Sequence, residues 1–120
     1  MKKTTLVLGA SLNEFRYSNM AIKRLVNAGY SVVAIGNRKG FVDGVEIIKS
    51  KDLFQNIDTI SLYLNAKNQE SFYNYILALK PKRVIFNPGT ENKELEVLLE
   101  KHNIYFESAC TLVLLSTNTY

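Results

Sequence analysis

The stretch TTLVLGASLNEFRYS, residues 4–18, decides the fold of this chain. Its first part, Thr4 to Leu8, is a β-branched and apolar run typical of a strand that is buried on both faces. Gly9 interrupts this run, and the small residues Ala10 and Ser11 follow it. The pattern predicts a strand that ends in a glycine-led loop.

After the loop, apolar residues recur at the spacing of one helix face, at Ala21, Ile22, Leu25 and Val26. We expect Ser18 to cap this helix and Gly29 to close it, because these residue types are favoured at those positions. Residues 31–35 then form a second apolar run. Strand, loop, helix and strand make a βαβ unit, in which the helix N-terminus presents free N–H groups to an anion.

The first loop differs from the dinucleotide-binding fingerprint G-x-G-x-x-G. Counted from Gly9, that fingerprint requires glycine where this chain has Ser11 and Glu14. A longer loop that carries Arg16 can still surround a pyrophosphate, because arginine binds phosphate oxygens bidentately. The same residues also fit an ordinary loop with a surface arginine, so the rest of the chain has to decide between the two interpretations.

The second loop, residues 36–40, places two adjacent cations, Arg38 and Lys39, after Asn37. In a doubly wound sheet this loop lies beside the ribose of a bound nucleotide, where basic residues accept a ribose phosphate. Residues 1–51 hold nine Lys and Arg against three Asp and Glu. This imbalance fits a compact anionic ligand but is too small to predict nucleic-acid binding, and a solvated basic turn is the alternative.

The rest of the chain alternates between strand and helix patterns. Strands are predicted at residues 57–64, 83–86 and 104–107, with one helix ending at Leu79 and another running from a Thr90 cap to Asn103. Asp43-Gly44 predicts a turn in a small excursion off the main sheet, followed by a short helix or turn at residues 51–55. The apolar tail, residues 111–116, fits either a strand or a helix.

This alternation predicts an α/β fold: a Rossmann-like, doubly wound parallel sheet in three α/β/α layers, as one domain over residues 1–120. We expect five main strands in the order 3-2-1-4-5. Ligands of such sheets bind at the carboxyl ends of the strands, where the strand order reverses.

Composition indicates a soluble cytoplasmic protein. The single cysteine, Cys110, excludes an internal disulfide and fits a reducing compartment. The apolar runs are too short for a membrane span, and the start Met1-Lys2-Lys3 leads into a strand rather than into a signal-peptide segment. A homo-oligomer or a protein partner is left open by the sequence.

Taken together, the residues resemble a known family of small stand-alone CoA-binding proteins, whose fold is like that of the N-terminal domain of the succinyl-CoA synthetase alpha subunit. The resemblance covers nearly the whole chain. It depends on residues 7–11 with Arg16 and Ser18, residues 29–32, Gly44 with Ser50 ahead of Ile57-Asp58, Gly89, and Ala109-Cys110. The chain departs from the family pattern at Arg38 and Asn65, where the family usually has proline.

The resemblance implies that CoA or an acyl-CoA is the ligand. Its pyrophosphate would lie along residues 9–18, with Gly9, Ala10, Ser11, Arg16 and Ser18 as contacts. Its 3′-phosphate would lie near Arg38 and Lys39, and its adenine would pack against Leu64, Asn65 and Ala66. Asn37 and Gly89 complete the expected site.

The sequence favours a binding protein over an enzyme, because no nucleophile–base or acid–base pair is visible. His102 falls on the apolar face of a late helix, and Cys110 is more typical of a structural cysteine than of a catalytic one. No cluster of ligands suggests a metal site. Two alternatives remain: an NADP-dependent oxidoreductase or redox-sensing domain, and a protein-interaction domain with an empty cleft.

Overall fold

The computed structural model describes residues 3–120, and within them one seven-stranded sheet forms the centre of the fold. Every pair of neighbouring strands is parallel except β3 with β4. The order across the sheet is β3-β4-β2-β1-β5-β6-β7. The strands are β1 (Thr4–Ala10), β2 (Ser31–Gly36), β3 (Gly40–Val42), β4 (Val45–Ile48), β5 (Ile57–Leu62), β6 (Arg83–Phe86) and β7 (Tyr105–Ser108).

Helices cover both faces of this sheet, which gives the predicted three layers. They are α1 (Tyr17–Asn27), α2 (Ala66–Gln69), α3 (Tyr73–Leu79), α4 (Lys93–Lys101) and α5 (Thr111–Ser116), with a 3₁₀ turn at Glu70–Phe72. Along β1, Val7 packs towards α1, whereas Leu6 and Leu8 pack towards α3 and α4. The first strand is therefore buried on both faces, as the sequence predicts.

The Rossmann-like class is confirmed, but the predicted strand count and order are wrong. The turn at Asp43 and Gly44, with φ of 48° and 81°, joins β3 to β4, and β4 pairs in parallel with β2 instead of leaving the sheet. Because β4 occupies the position beside β2, the strand from Ile57 pairs with β1. Counted alone, the six parallel strands follow the order 3-2-1-4-5-6 of dinucleotide-binding sheets.

The helix ends correct two predicted caps. Arg16, not Ser18, is the N-cap of α1, and Ser18 lies buried within the first turn. Asn92, not Thr90, caps α4, because its Oδ1 accepts a hydrogen bond from the Leu95 N–H at 3.2 Å. Gly29 closes α1 with φ of 89°, as predicted.

Other local predictions have mixed outcomes. Lys80 ends α3 with φ of 49°, and Asn103 follows α4 with φ of 57°, both in the left-handed region. His102 is exposed just after α4, so its predicted place on the buried face is wrong. The tail at residues 111–116 forms α5, and residues 51–55 contain no helix.

Tyr63 and Tyr75 make the free energy of unfolding depend on pH in the alkaline range. Burial raises the pKa of Tyr63 and of Tyr75 to about 12, from 10.0. A raised pKa means that the fold favours the neutral phenol, so this stabilisation is complete below pH 10 and is lost as the pH rises towards 12. We expect denaturant midpoints to fall over that interval.

The measurement is urea unfolding at a series of alkaline pH values, with tyrosinate absorbance followed in parallel. Tyr63→Phe and Tyr75→Phe together should reduce the pH dependence, and Tyr73 and Tyr120, whose pKa values burial also raises, should keep the remainder. A wild-type profile that the double variant reproduces over this interval would contradict the assignment.

Candidate ligand-binding cleft

A cleft of about 1080 Å³ opens at the carboxyl edge of the sheet, where the strand order reverses around β1. Residues after β1, β2, β4, β5 and β6 line it together with the start of α1. Ten of the twelve predicted site residues line this cleft: Gly9, Ala10, Ser11, Arg16, Ser18, Asn37, Arg38, Leu64, Asn65 and Gly89. Lys39 and Ala66 do not line it.

The loop between β1 and α1 is fixed by its own side chains. The Asn13 N–H donates to Ser11 Oγ at 3.0 Å, and the Phe15 N–H donates to Asn13 Oδ1 at 2.9 Å. From inside α1, the buried Asn19 donates through Nδ2 to the carbonyl of Ser11 at 2.9 Å. These bonds hold the loop against the helix start, so its shape does not depend on a ligand.

The N-terminus of α1 has no side-chain cap and no acidic residue in its first turn. The first N–H groups of a helix lack intrahelical acceptors, and the helix dipole adds partial positive charge at the same place. Arg16, Tyr17 and Ser18 line the cleft at this point. The geometry therefore favours a bound anion, such as a phosphate, at the start of α1.

Gly9 is required by packing against the neighbouring strand. A Cβ at Gly9 would lie 2.9 Å from the carbonyl carbon of Tyr63 and 3.1 Å from the nitrogen of Leu64, and φ at Gly9 is +99°. From the sequence, Gly9 is expected only to contact the pyrophosphate of the ligand. The structure shows in addition that a side chain here would push β1 away from the segment after β5.

Polar side chains fix the wall on the other side of the cleft. Asn87, which follows β6, donates through Nδ2 to the carbonyl of Leu62 at 2.8 Å and accepts at Oδ1 from the Thr111 N–H at 2.9 Å. Gln69 donates to the carbonyls of Leu64 and Thr90 at 2.8 and 2.7 Å. The loops after β5 and β6 are thus tied to each other and to the start of α5.

The network extends to α4. Asn92 donates to Gln69 Oε1 at 2.9 Å, and its own Oδ1 caps α4. Asn65 caps α2 in the same way, by accepting from the Asn68 N–H at 2.9 Å. This bond uses one of the two lone pairs of Asn65 Oδ1, so the amide group keeps its N–H donors and one acceptor position for a ligand.

The charge of the cleft is positive. Of the residues that the structure describes, three cations, Arg16, Arg38 and Lys49, and no Asp or Glu line it. Lys49 was missed from the sequence, because residues 41–48 were interpreted as an excursion off the sheet. In the structure β4 lies parallel to β2, so the residue after Ile48 reaches the same edge as the loop after β2.

Among the described residues, neither His102 nor Cys110 lines the cleft. His102 is exposed beyond α4, and Cys110 is half-buried at the start of α5. Within residues 3–120, His, Cys, Asp and Glu side chains form no group of three that could hold a metal ion. The helices in this part of the chain are too short or too polar to cross a membrane.

Residues 3–116 match the family whose description is "CoA binding domain", and the chain belongs to this family. No curated protein matches the chain. The family assignment agrees with the resemblance found in the sequence and with the order of the six parallel strands.

Solved structures share this fold over nearly the whole chain. A crystal structure of a protein described as uncharacterized has a TM-score of 0.96 and 48% sequence identity, over 100% of this chain and 99% of that one. A conserved hypothetical protein from Pyrococcus furiosus has a TM-score of 0.81 and 26% identity, over 94% and 98% of the two chains. A protein from Thermus thermophilus has a TM-score of 0.88 and 23% identity, over 99% and 91%, and shows the fold alone.

Two glycines at the edge of the cleft allow the role of packing to be measured. Both have positive φ, but a Cβ at Gly89 would meet nothing within 4 Å, whereas one at Gly9 would strike backbone. We expect Gly89→Ala to cost about 1–2 kcal/mol of unfolding free energy, the cost of the left-handed conformation alone. Gly9→Ala should cost clearly more, because a steric clash adds to the same conformational cost.

The measurement is the unfolding free energy of both variants from urea titration. Equal losses for Gly9→Ala and Gly89→Ala would contradict the packing explanation of Gly9.

Proposed function

We propose that this protein binds CoA or an acyl-CoA in the cleft without catalysing a reaction on it. The observation that carries the proposal is the charge of the cleft, to which the uncapped start of α1 contributes: among the described residues, its lining has three cations and no carboxylate. Membership of the family "CoA binding domain" supports the choice of CoA among anionic ligands. CoA brings a pyrophosphate and a separate ribose phosphate to a site that has Arg16 at the start of α1 and two further cations, Arg38 and Lys49, after β2 and β4.

The pyrophosphate belongs, in this proposal, to the loop from Gly9 to Ser18. There the first N–H groups of α1 and the Arg16 side chain supply donors to its oxygens. The ribose phosphate belongs near Arg38, beyond the carboxyl end of β2. The adenine would pack near Leu64 and Asn65, on the other side of β1.

Binding without catalysis is supported by the chemistry of the lining. Among the described residues that line the cleft there is no Cys, His, Asp or Glu. The remaining polar groups are amides, hydroxyls and cations, which bind and orient a ligand more readily than they move its protons. NADP is the second candidate, because the cations after β2 would also accept a 2′-phosphate.

Thermal unfolding with CoA, dephospho-CoA, NADPH and NADH separates these functions. A ligand that binds only the folded state raises the unfolding temperature, and at equal ligand concentration the rise increases with the logarithm of its affinity. We expect the largest rise with CoA and a smaller one with dephospho-CoA. A larger rise with NADPH than with CoA would contradict the proposal and favour the oxidoreductase alternative. No rise with any of the four ligands would also contradict it and favour a protein-interaction domain with an empty cleft.

Arg16 should contribute directly to binding. Arg16→Ala is expected to weaken CoA binding by about 1.5–3 kcal/mol, the usual contribution of a hydrogen bond to a charged group. Calorimetric titration measures the change. Arg24→Ala is the matched control, because Arg24 lies on the same helix, is exposed and does not line the cleft. Equal affinities for Arg16→Ala and Arg24→Ala would contradict the placement of the pyrophosphate.

A further inference from the structure

We propose that Lys49, rather than Lys39, acts with Arg38 to select a ligand that carries a phosphate on its ribose. The inference rests on the proposed function and names a specificity-determining residue of the same cleft. It assigns this role to a lysine that directly follows β4, ten residues after Lys39 in the loop that the sequence pattern indicates.

Sheet pairing places Lys49 beside the loop after β2. Ile35 of β2 pairs with Ile48 of β4 in a parallel register, so both strands leave the sheet at the same edge. Parallel neighbours lie about 4.8 Å apart, so Lys49 continues beside Gly36, two residues before Arg38 in the loop after β2. Arg38 and Lys49 both line the cleft, and Lys39 does not.

Close backbone packing fixes this region relative to the pyrophosphate loop. A Cβ at Gly36 would lie 2.3 Å from the carbonyl oxygen of Ala10, so the end of β2 touches the end of β1 directly. A Cβ at Gly40 would lie 2.7 Å from the Leu12 side chain. The segment that carries Arg38 is therefore held at both of its ends against the loop between β1 and α1.

The two cations have no acidic partner within the part of the chain that the structure describes. The ion pairs found there join Lys3 with Asp58, Arg83 with Glu107, and Lys93 with Glu96. Arg38 and Lys49 are exposed and unpaired, and no carboxylate lines the cleft near them. Two neighbouring cations without a counter-charge repel each other, and a phosphate dianion between them removes that repulsion.

Calorimetric titration of CoA and dephospho-CoA tests the inference, because these ligands differ only in the ribose phosphate. For the wild type we expect CoA to bind about tenfold tighter or more. Lys49→Ala should reduce the preference for CoA over dephospho-CoA about fivefold to tenfold, mainly by weakening the binding of CoA. Lys39→Ala is the matched control and should leave the ratio within about twofold of the wild type. Lys49→Arg should keep the preference, since it keeps the charge.

The outcomes separate this inference from the proposed function. If the wild type binds neither ligand, both proposals are overturned. If it binds CoA but Lys39→Ala removes the preference while Lys49→Ala keeps it, only the role of Lys49 is overturned. The role of Lys49 is also overturned if the wild type binds both ligands equally well. It is overturned as well if Lys49→Ala weakens the binding of both ligands equally, because Lys49 would then act only through the overall positive potential of the cleft. Because Lys49 is exposed, thermal unfolding of the variant without ligand should match the wild type.

Discussion

The close backbone contact between Gly9 and the segment Tyr63–Leu64 is the constraint on which the cleft depends. On its other side, β1 touches β2 just as closely, at Ala10 and Gly36. At these two contacts the backbones are too close for a Cβ on Gly9 or Gly36. The loops that line the cleft after β1, β2 and β5 are therefore held close to one another at the sheet edge.

The wall after β5 and β6 is fixed by a different kind of interaction. Gln69, Asn87 and Asn92 are almost fully buried, and burying an amide group without partners would cost stability. Asn87 and Gln69 donate to the carbonyls of Leu62, Leu64 and Thr90, and Asn92 donates to Gln69 Oε1. These hydrogen bonds satisfy the three amides and tie the loops after β5 and β6 together. Apolar packing would not fix these loops as specifically, because hydrogen bonds have direction. A ligand thus meets a preformed wall, which lowers the entropy cost of binding.

Several local features were predictable from the sequence, whereas the sheet positions of β4 and β5 were not. The strand before Gly9, the closing role of Gly29 and the turn at Asp43-Gly44 follow from conformations that few residues adopt. The cap at Arg16 was missed because backbone N–H groups donate to the Ser11 and Asn13 side chains, which shapes the loop and places the helix start before Ser18. The predicted order placed β5 beside β2, but β5 pairs with β1. This was missed because β4 fills the position beside β2, and no short window of sequence determines that pairing. The place of Lys49 in the cleft was missed because it depends on the same pairing of β4 with β2. The hydrogen bond between Gln69 and Asn92 was missed because it joins residues 23 positions apart in the sequence.

Amide chemical-shift changes on titration with CoA test the central claim most directly, since they report where the ligand binds without any substitution. The account predicts that the largest changes fall on residues 9–18, on Gly36 to Arg38 and Lys49, and on the loops at Leu64 and Gly89. The groove between α3 and α4, lined by Tyr73, Val97 and Leu98 among others, should be unaffected. Changes concentrated in that groove, or no changes at high CoA concentration, would contradict the account.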